Sequence, residues 1–140
     1  MAEIEWDNSL SIGVKLIDEQ HKMLIQRLSD LSKSIEMTQG EAKIATTLDF
    51  MVDYTDFHFS TEEKHMAEQN YPGLEYQKQQ HIEFKDHLKQ LVEDFEEEGP
   101  TKALSTSINV FLLNWLIKHI KGVDRKFGEF LNEKGCELSE

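Results

Sequence analysis

Apolar residues recur three and four positions apart along most of this chain, and that period commits it to α-helices. No stretch shows the strict alternation of a half-buried strand, and no repeat or low-complexity run is present. Breakers divide the periodic stretches: Pro72-Gly73 and Gly99-Pro100 are strong ones, Gly40 and Gly122 milder ones. Four long helices follow. Helix A is expected from a cap at Asp18 to about Met37, with the stripe His21, Leu24, Leu28, Leu31 and Ile35. Helix B spans Glu41 to about Gln69, with Ile44, Leu48, Met51, Thr55, His58, Glu62, His65 and Gln69. Helix C spans Leu74 to about Glu98, with Leu74, Gln77, His81, Phe84, Leu88, Leu91 and Phe95. Helix D spans Thr101 to about Lys121, with Leu104, Ile108, Phe111, Trp115 and His119, and a short fifth helix is expected from Asp124 to Leu131. Amphipathic helices joined by short connections pack most simply as an all-α, up-down-up-down antiparallel four-helix bundle. The expected organisation is one domain over 1–140. It has an irregular arm at 1–17 packing Trp6, Leu10, Ile12 and Val14, a bundle at 18–132 and a tail at 133–140.

Charge narrows the function. Asp plus Glu number 27 against 15 Lys plus Arg, a formal net charge of -12. A phosphate backbone or an anionic membrane surface needs a basic face, so neither is an expected partner. The single cysteine, Cys136, allows no internal disulfide and no thiolate metal cage, and reads as an incidental thiol. The opening Met-Ala-Glu-Ile-Glu-Trp lacks the basic and apolar regions of a secretory signal. The longest apolar stretch, Val110 to Ile117, is short and broken by Asn114, too little to span a bilayer. A cytoplasmic protein, or a domain of a larger one, is expected, as a monomer or weak oligomer with no specific protein partner indicated.

The informative residues are polar ones on apolar stripes: His21, His58, Glu62, His65, Gln77, His81 and His119, with Asp124 about one turn beyond His119. A buried carboxylate must be paired or bound to metal. His58 and Glu62, four apart, leave one face of helix B. In an antiparallel bundle the beginning of A, the latter half of B, the start of C and the end of D share one pole, which is where these residues fall. Any one core histidine is more often a hydrogen-bonded packing residue than a ligand. Four of them aligned at one pole reverse that balance. Imidazole and carboxylate without sulfur suit iron, manganese or zinc, and the donors exceed the four a single zinc takes. Two metals fit better, with Glu62 and Asp124 able to bridge them. The plainer alternatives are a Glu62 salt bridge and Asp124 as a helix cap. Trp115 and Phe111 read as core, His87 as a flanking residue, and Glu96-Glu97-Glu98 as a solvated helix end.

Trp6, Ile17-Asp18-Glu19-Gln20-His21, His58-Phe59-Ser60-Thr61-Glu62-Glu63, Met66, Tyr71-Pro72, His81-Ile82-Glu83-Phe84, Trp115-Leu116-Ile117-Lys118-His119-Ile120 and Asp124 together resemble the hemerythrin family, its single-domain bacterial members above all. The resemblance covers nearly the whole chain. It implies a four-helix bundle with a non-haem, oxo- or hydroxo-bridged di-iron centre that reversibly binds dioxygen. On that resemblance His21 and His58 hold one iron with an open position, Glu62 and Asp124 bridge, and His81 and His119 belong to the second iron. The family's third histidine on that iron lies four residues before His81, where this chain has Gln77. Three outcomes follow: Gln77 coordinates through oxygen or water, the position stays open, or His65 substitutes. His65 is the favoured candidate, since it lies three residues beyond Glu62 at a depth similar to Gln77.

The leading expectation is therefore an oxygen-binding protein for carriage, storage or delivery, with Trp115, Phe59 and Leu24 excluding water. Its rival is a di-iron enzyme handling peroxide, nitric oxide or iron oxidation through an under-ligated second iron. A metal buffer or plain helical module is the third reading.

Overall fold

The structure, a computed structural model, describes residues 6–36 and 40–135. Met1 to Glu5, Met37 at the expected end of helix A, and the part of the expected tail from Cys136 onward lie outside the described residues. The architecture is the expected antiparallel four-helix bundle, with no strand among the described residues. The first three rods are α1 (Lys15–Glu36), α2 (Glu41–Glu68) and α3 (Leu74–Glu98). The fourth is one continuous helical path: α4 (Lys102–Ser107), a π-turn segment (Ile108–Leu113), α5 (Asn114–His119), a second π-turn segment (Ile120–Asp124) and α6 (Arg125–Lys134). Among the described residues no helix is long and apolar enough to cross a membrane.

The apolar stripes meet along the axis. Ile17, Leu24, Leu28 and Leu31 of α1, Ile44 and Met51 of α2, Phe84 of α3 and Leu116, Ile120 and Phe127 of the fourth rod are fully buried or nearly so. Chain reversal between α2 and α3 follows from local chemistry. Asn70 takes the left-handed conformation (φ 55), the Tyr71 N–H bonds back to the Met66 carbonyl at 2.9 Å and the Asn70 N–H to that of Ala67 at 3.2 Å. That pair of bonds closes the last turn of α2, and asparagine is the residue besides glycine that tolerates the geometry. Pro72 then prevents the helix from resuming.

Two boundaries and one facing differ from the sequence expectation. Asp18 does not cap α1. It lies within the first turn, and its carboxylate reaches back to accept from the Ile12 N–H at 2.9 Å and the Ser11 hydroxyl at 2.5 Å, fastening the arm. Gly122 does not end a helix, because the π-turn carries the chain through it, and the expected short C-terminal helix is present as α6, the last part of the fourth rod. Phe111 is not core: it is exposed and stacks on His87 with ring planes 6° apart. The extra residue in the first π-turn rotates the register, and Leu112 and Leu113 are buried in its stead.

The arm is wedged close to α6. A Cβ on Gly128 would stand 2.0 Å from the Ile12 carbonyl oxygen, so only glycine lets the two backbones meet, whereas nothing lies within 4 Å of a Cβ on Gly122. Gly128→Ala is expected to destabilise the protein by about 1–3 kcal/mol. Gly122→Ala should be neutral or stabilising by up to about 1 kcal/mol, through lost backbone freedom in the unfolded chain. Denaturant unfolding of the two variants beside the parent checks the contrast.

Candidate metal centre

Each rod delivers polar groups to one pole. On α1, His21 sits between Ile17 and Leu24, one turn from each, so it shares their buried face. On α2, His58 and Glu62 are stacked one turn apart and both are wholly buried. Gln77 and His81 do the same on α3. The fourth rod places His119 and Asp124 together by an unusual route. Five residues apart in an α-helix they would diverge by about 140°. The intervening turn is a π-turn, in which the Arg125 N–H bonds to the Ile120 carbonyl five residues back. That widened turn brings Asp124 Oδ1 to 3.2 Å from His119 Nε2.

These residues form two sets with shared members. One is His21, His58, Glu62 and Asp124; the other is Glu62, His81, His119 and Asp124; within each set the donor atoms all lie within 4.8 Å of one another. The carboxylates straddle the sets. Asp124 presents Oδ2 to His21 Nε2 at 3.0 Å and Oδ1 to His119. Glu62 presents Oε1 to His58 Nε2 at 3.2 Å and to His81 Nε2 at 3.3 Å, and Oε2 to His21 Nε2 at 3.6 Å.

Close approach here is not hydrogen bonding. The Nε2 atoms of His21, His58, His81 and His119, both Glu62 oxygens and Asp124 Oδ2 are buried without a hydrogen-bond partner. Each such atom costs about 1–3 kcal/mol when left unpaired, and so many facing one another call for a cation. The far sides of three rings are tied down. His58 Nδ1 meets Gln20 Oε1 at 2.7 Å, His81 Nδ1 meets Glu63 Oε2 at 2.7 Å and His119 Nδ1 meets Gln80 Oε1 at 3.3 Å. These oxygens only accept, so the ring proton belongs on Nδ1 and the Nε2 lone pair faces inward, the tautomer a metal requires. Gln20, Glu63 and Gln80 were not singled out from the sequence as site residues. The one available signal is that each immediately adjoins a site residue and so projects round the helix toward its neighbour. The donor set therefore fits a metal pair.

His65 and Gln77 part company. His65 is in neither set: near the end of α2 its Nδ1 faces Glu68 Oε2 at 3.8 Å, and Met66 takes the fully buried position beside it. Gln77 points inward and donates from Nε2 to Asp124 Oδ1 at 2.9 Å.

The charges adjust to one another. Burial pushes the His21 ring down, but Asp124 and Glu62 beside it outweigh burial and hold it up at about 9. His81 is raised too, its burial overcome by Glu62 and Glu63. Burial dominates at His58 and pushes it down. Burial opposes ionisation of Glu62, yet the surrounding His58, His21 and His81 hold its carboxyl well below the usual range. Asp124 is lowered despite burial and the Glu62 charge, through His119 and His21.

A bundle carrying at one pole two buried donor sets that share two carboxylates could hold metal cations in its core. The chain belongs to the hemerythrin family: residues 12–131 match the Hemerythrin HHE cation binding domain. It is 31% identical over 129 residues to a bacteriohemerythrin of Stenotrophomonas maltophilia, covering 92% of this chain and 82% of that protein. It is 30% identical over 123 residues to a myohemerythrin of Theromyzon tessulatum, covering 88% and 89% of the two chains. A crystal structure of wild-type hemerythrin superposes with a TM-score of 0.81 at 26% identity, over 91% of this chain and 97% of that one.

Two outcomes follow from the geometry. Metal needs a neutral His21, so uptake below pH 9 releases a proton, and the apparent affinity should climb with pH and level off near 9. In the metal-free chain the raised His21 stabilises the fold fully below about pH 6.5, and that contribution is lost as pH rises through about 9. Proton release on metal addition, and urea unfolding of chelated protein across this range, report the two effects. Because both sets share them, replacing Glu62 by Gln or Asp124 by Asn should lower the metal content by elemental analysis, whereas His65→Leu should leave it unchanged.

Proposed function

We propose that this chain is a non-haem di-iron protein that binds dioxygen reversibly. The observation that carries the reading is the pair of four-donor sets sharing Glu62 and Asp124. His21 and His58 would hold one ion and His81 and His119 the other, with Glu62 and Asp124 available to both. An iron pair bound there would supply the two electrons that reversible dioxygen binding draws on. The protein's share is to orient and to keep dry. Gln20, Glu63 and Gln80 fix three imidazoles by their far nitrogens. Phe59 lies flat on His81 with centroids 3.9 Å apart, and Trp115 on His119 at 4.6 Å. Leu24 is fully buried on α1, one turn from His21. These apolar groups exclude water, whose protons would make oxidation of the irons irreversible.

An enzymatic reading, turning over peroxide or nitric oxide or oxidising iron, is favoured by one observation: an amide, Gln77, stands beside the second set where another imidazole would close it. One experiment addresses both. The chain is loaded anaerobically with ferrous iron, exposed to air and deoxygenated again while its visible spectrum is followed. Two irons per chain and a band that rises in air and disappears on deoxygenation are expected. Rapid, irreversible bleaching with turnover of hydrogen peroxide or nitric oxide would favour the enzyme. A chain that takes up no more than one ion would overturn both.

A further inference from the structure

The second donor set contains one group more than its imidazoles and carboxylates. Gln77 is fully buried, and its side chain is held by a single bond, Nε2 to Asp124 Oδ1 at 2.9 Å. That bond settles the amide's orientation. An ionised carboxylate oxygen only accepts, so the amide must present its nitrogen to Asp124 and turn its oxygen elsewhere. Gln77 Oε1 is thereby left buried with no hydrogen-bond partner, in the same condition as the Nε2 atoms and carboxylate oxygens around it.

We infer that the amide oxygen of Gln77 is itself a metal donor, completing the set formed by His81, His119, Glu62 and Asp124. This rests on the metal-pair reading above and refines it. The two halves of the centre then differ in kind. Among the described residues the half with His21 and His58 has no buried amide oxygen left unpartnered, since Gln20 Oε1 meets His58 Nδ1, while the other gains a hard, neutral oxygen. His81 is also the one imidazole of the four whose outer nitrogen meets a carboxylate, that of Glu63 at 2.7 Å. A carboxylate there makes the ring a stronger donor and offsets the weaker donation of an amide. An oxygen donor narrows the advantage that nitrogen ligands give zinc over manganese or ferrous iron. Gln77 therefore biases one of the two positions toward harder divalent ions and makes the centre electronically lopsided.

The test is the metal preference of the second position. Manganese and zinc affinities are measured separately, by competition against a chelator, for the parent chain, Gln77→His and Gln77→Leu, with circular dichroism confirming the fold of each. An amide ligand predicts that Gln77→His raises zinc affinity over manganese affinity by about tenfold or more at one site only. It predicts that Gln77→Leu weakens both ions at that site and leaves the other unchanged. A group that merely steadies Asp124, which both sets share, would on Gln77→Leu weaken both positions alike, and that outcome or an unchanged manganese-to-zinc ratio in Gln77→His overturns the inference while leaving the metal pair intact. Fewer than two ions bound by the parent chain would instead remove the reading on which it rests.

Discussion

Glu62 and Asp124 are two carboxylates with no exposure to solvent, held in the middle of a helical bundle. Among the described residues nothing else is so costly to bury, and everything around the pole answers to it. Two like charges at this separation would neutralise one another by taking up protons were they alone. Imidazoles on all sides keep both ionised instead, and in the metal-free chain His21 carries the compensating proton. The cluster is thus a site balanced between protons and cations. A metal ion bound here would displace the proton and satisfy the orphaned lone pairs together, so binding energy and folding energy would become one quantity at this pole.

The remainder of the bundle limits how far these groups can move. Three rings are pinned at their outer nitrogens by residues from neighbouring helices, so the inner nitrogens are fixed by contacts spanning 18 to 39 residues of sequence. Aromatic faces complete the restraint, with Phe59 bearing on His81, Phe84 and Trp115. Preorganisation of this kind keeps the donor atoms at one spacing without help from a ligand. The arm contributes at a distance. Asp18 fastens it across the start of α1, and Gly128 admits its backbone against α6, so the two helices that supply His21 and flank Asp124 are strapped together.

Much of this was legible in the sequence because helices advertise themselves by period. The stripes of α1, α2 and α3 were read within a few residues of their observed bounds, since their faces are continuous and their ends carry glycine or proline. Six polar residues out of place on those stripes or just beyond, His21, His58, Glu62, His81, His119 and Asp124, are the ones the structure gathers into two sets. The reading failed where period is blind. A π-turn inserts one residue without leaving a composition signal, so Phe111 was assigned inward when it points out. The relocation of a ligand to His65 followed from depth along α2 alone. Rotation about the axis decides the matter, and it turns His65 toward Glu68 while Gln77 faces Asp124.

By itself, then, the amino-acid order determined the helical class, the antiparallel arrangement and the chemical character of the pole. Those depend on spacing, breakers and residue type, which are local. Only the tertiary structure decided which atoms face one another. The convergence of His119 with Asp124 needs a widened turn, and the inward lone pairs need acceptors from other helices. The freed oxygen of Gln77 needs a carboxylate 47 residues away to claim its nitrogen. Each of these is a choice of direction for a side chain, and direction is set by partners that the chain meets only once it has folded.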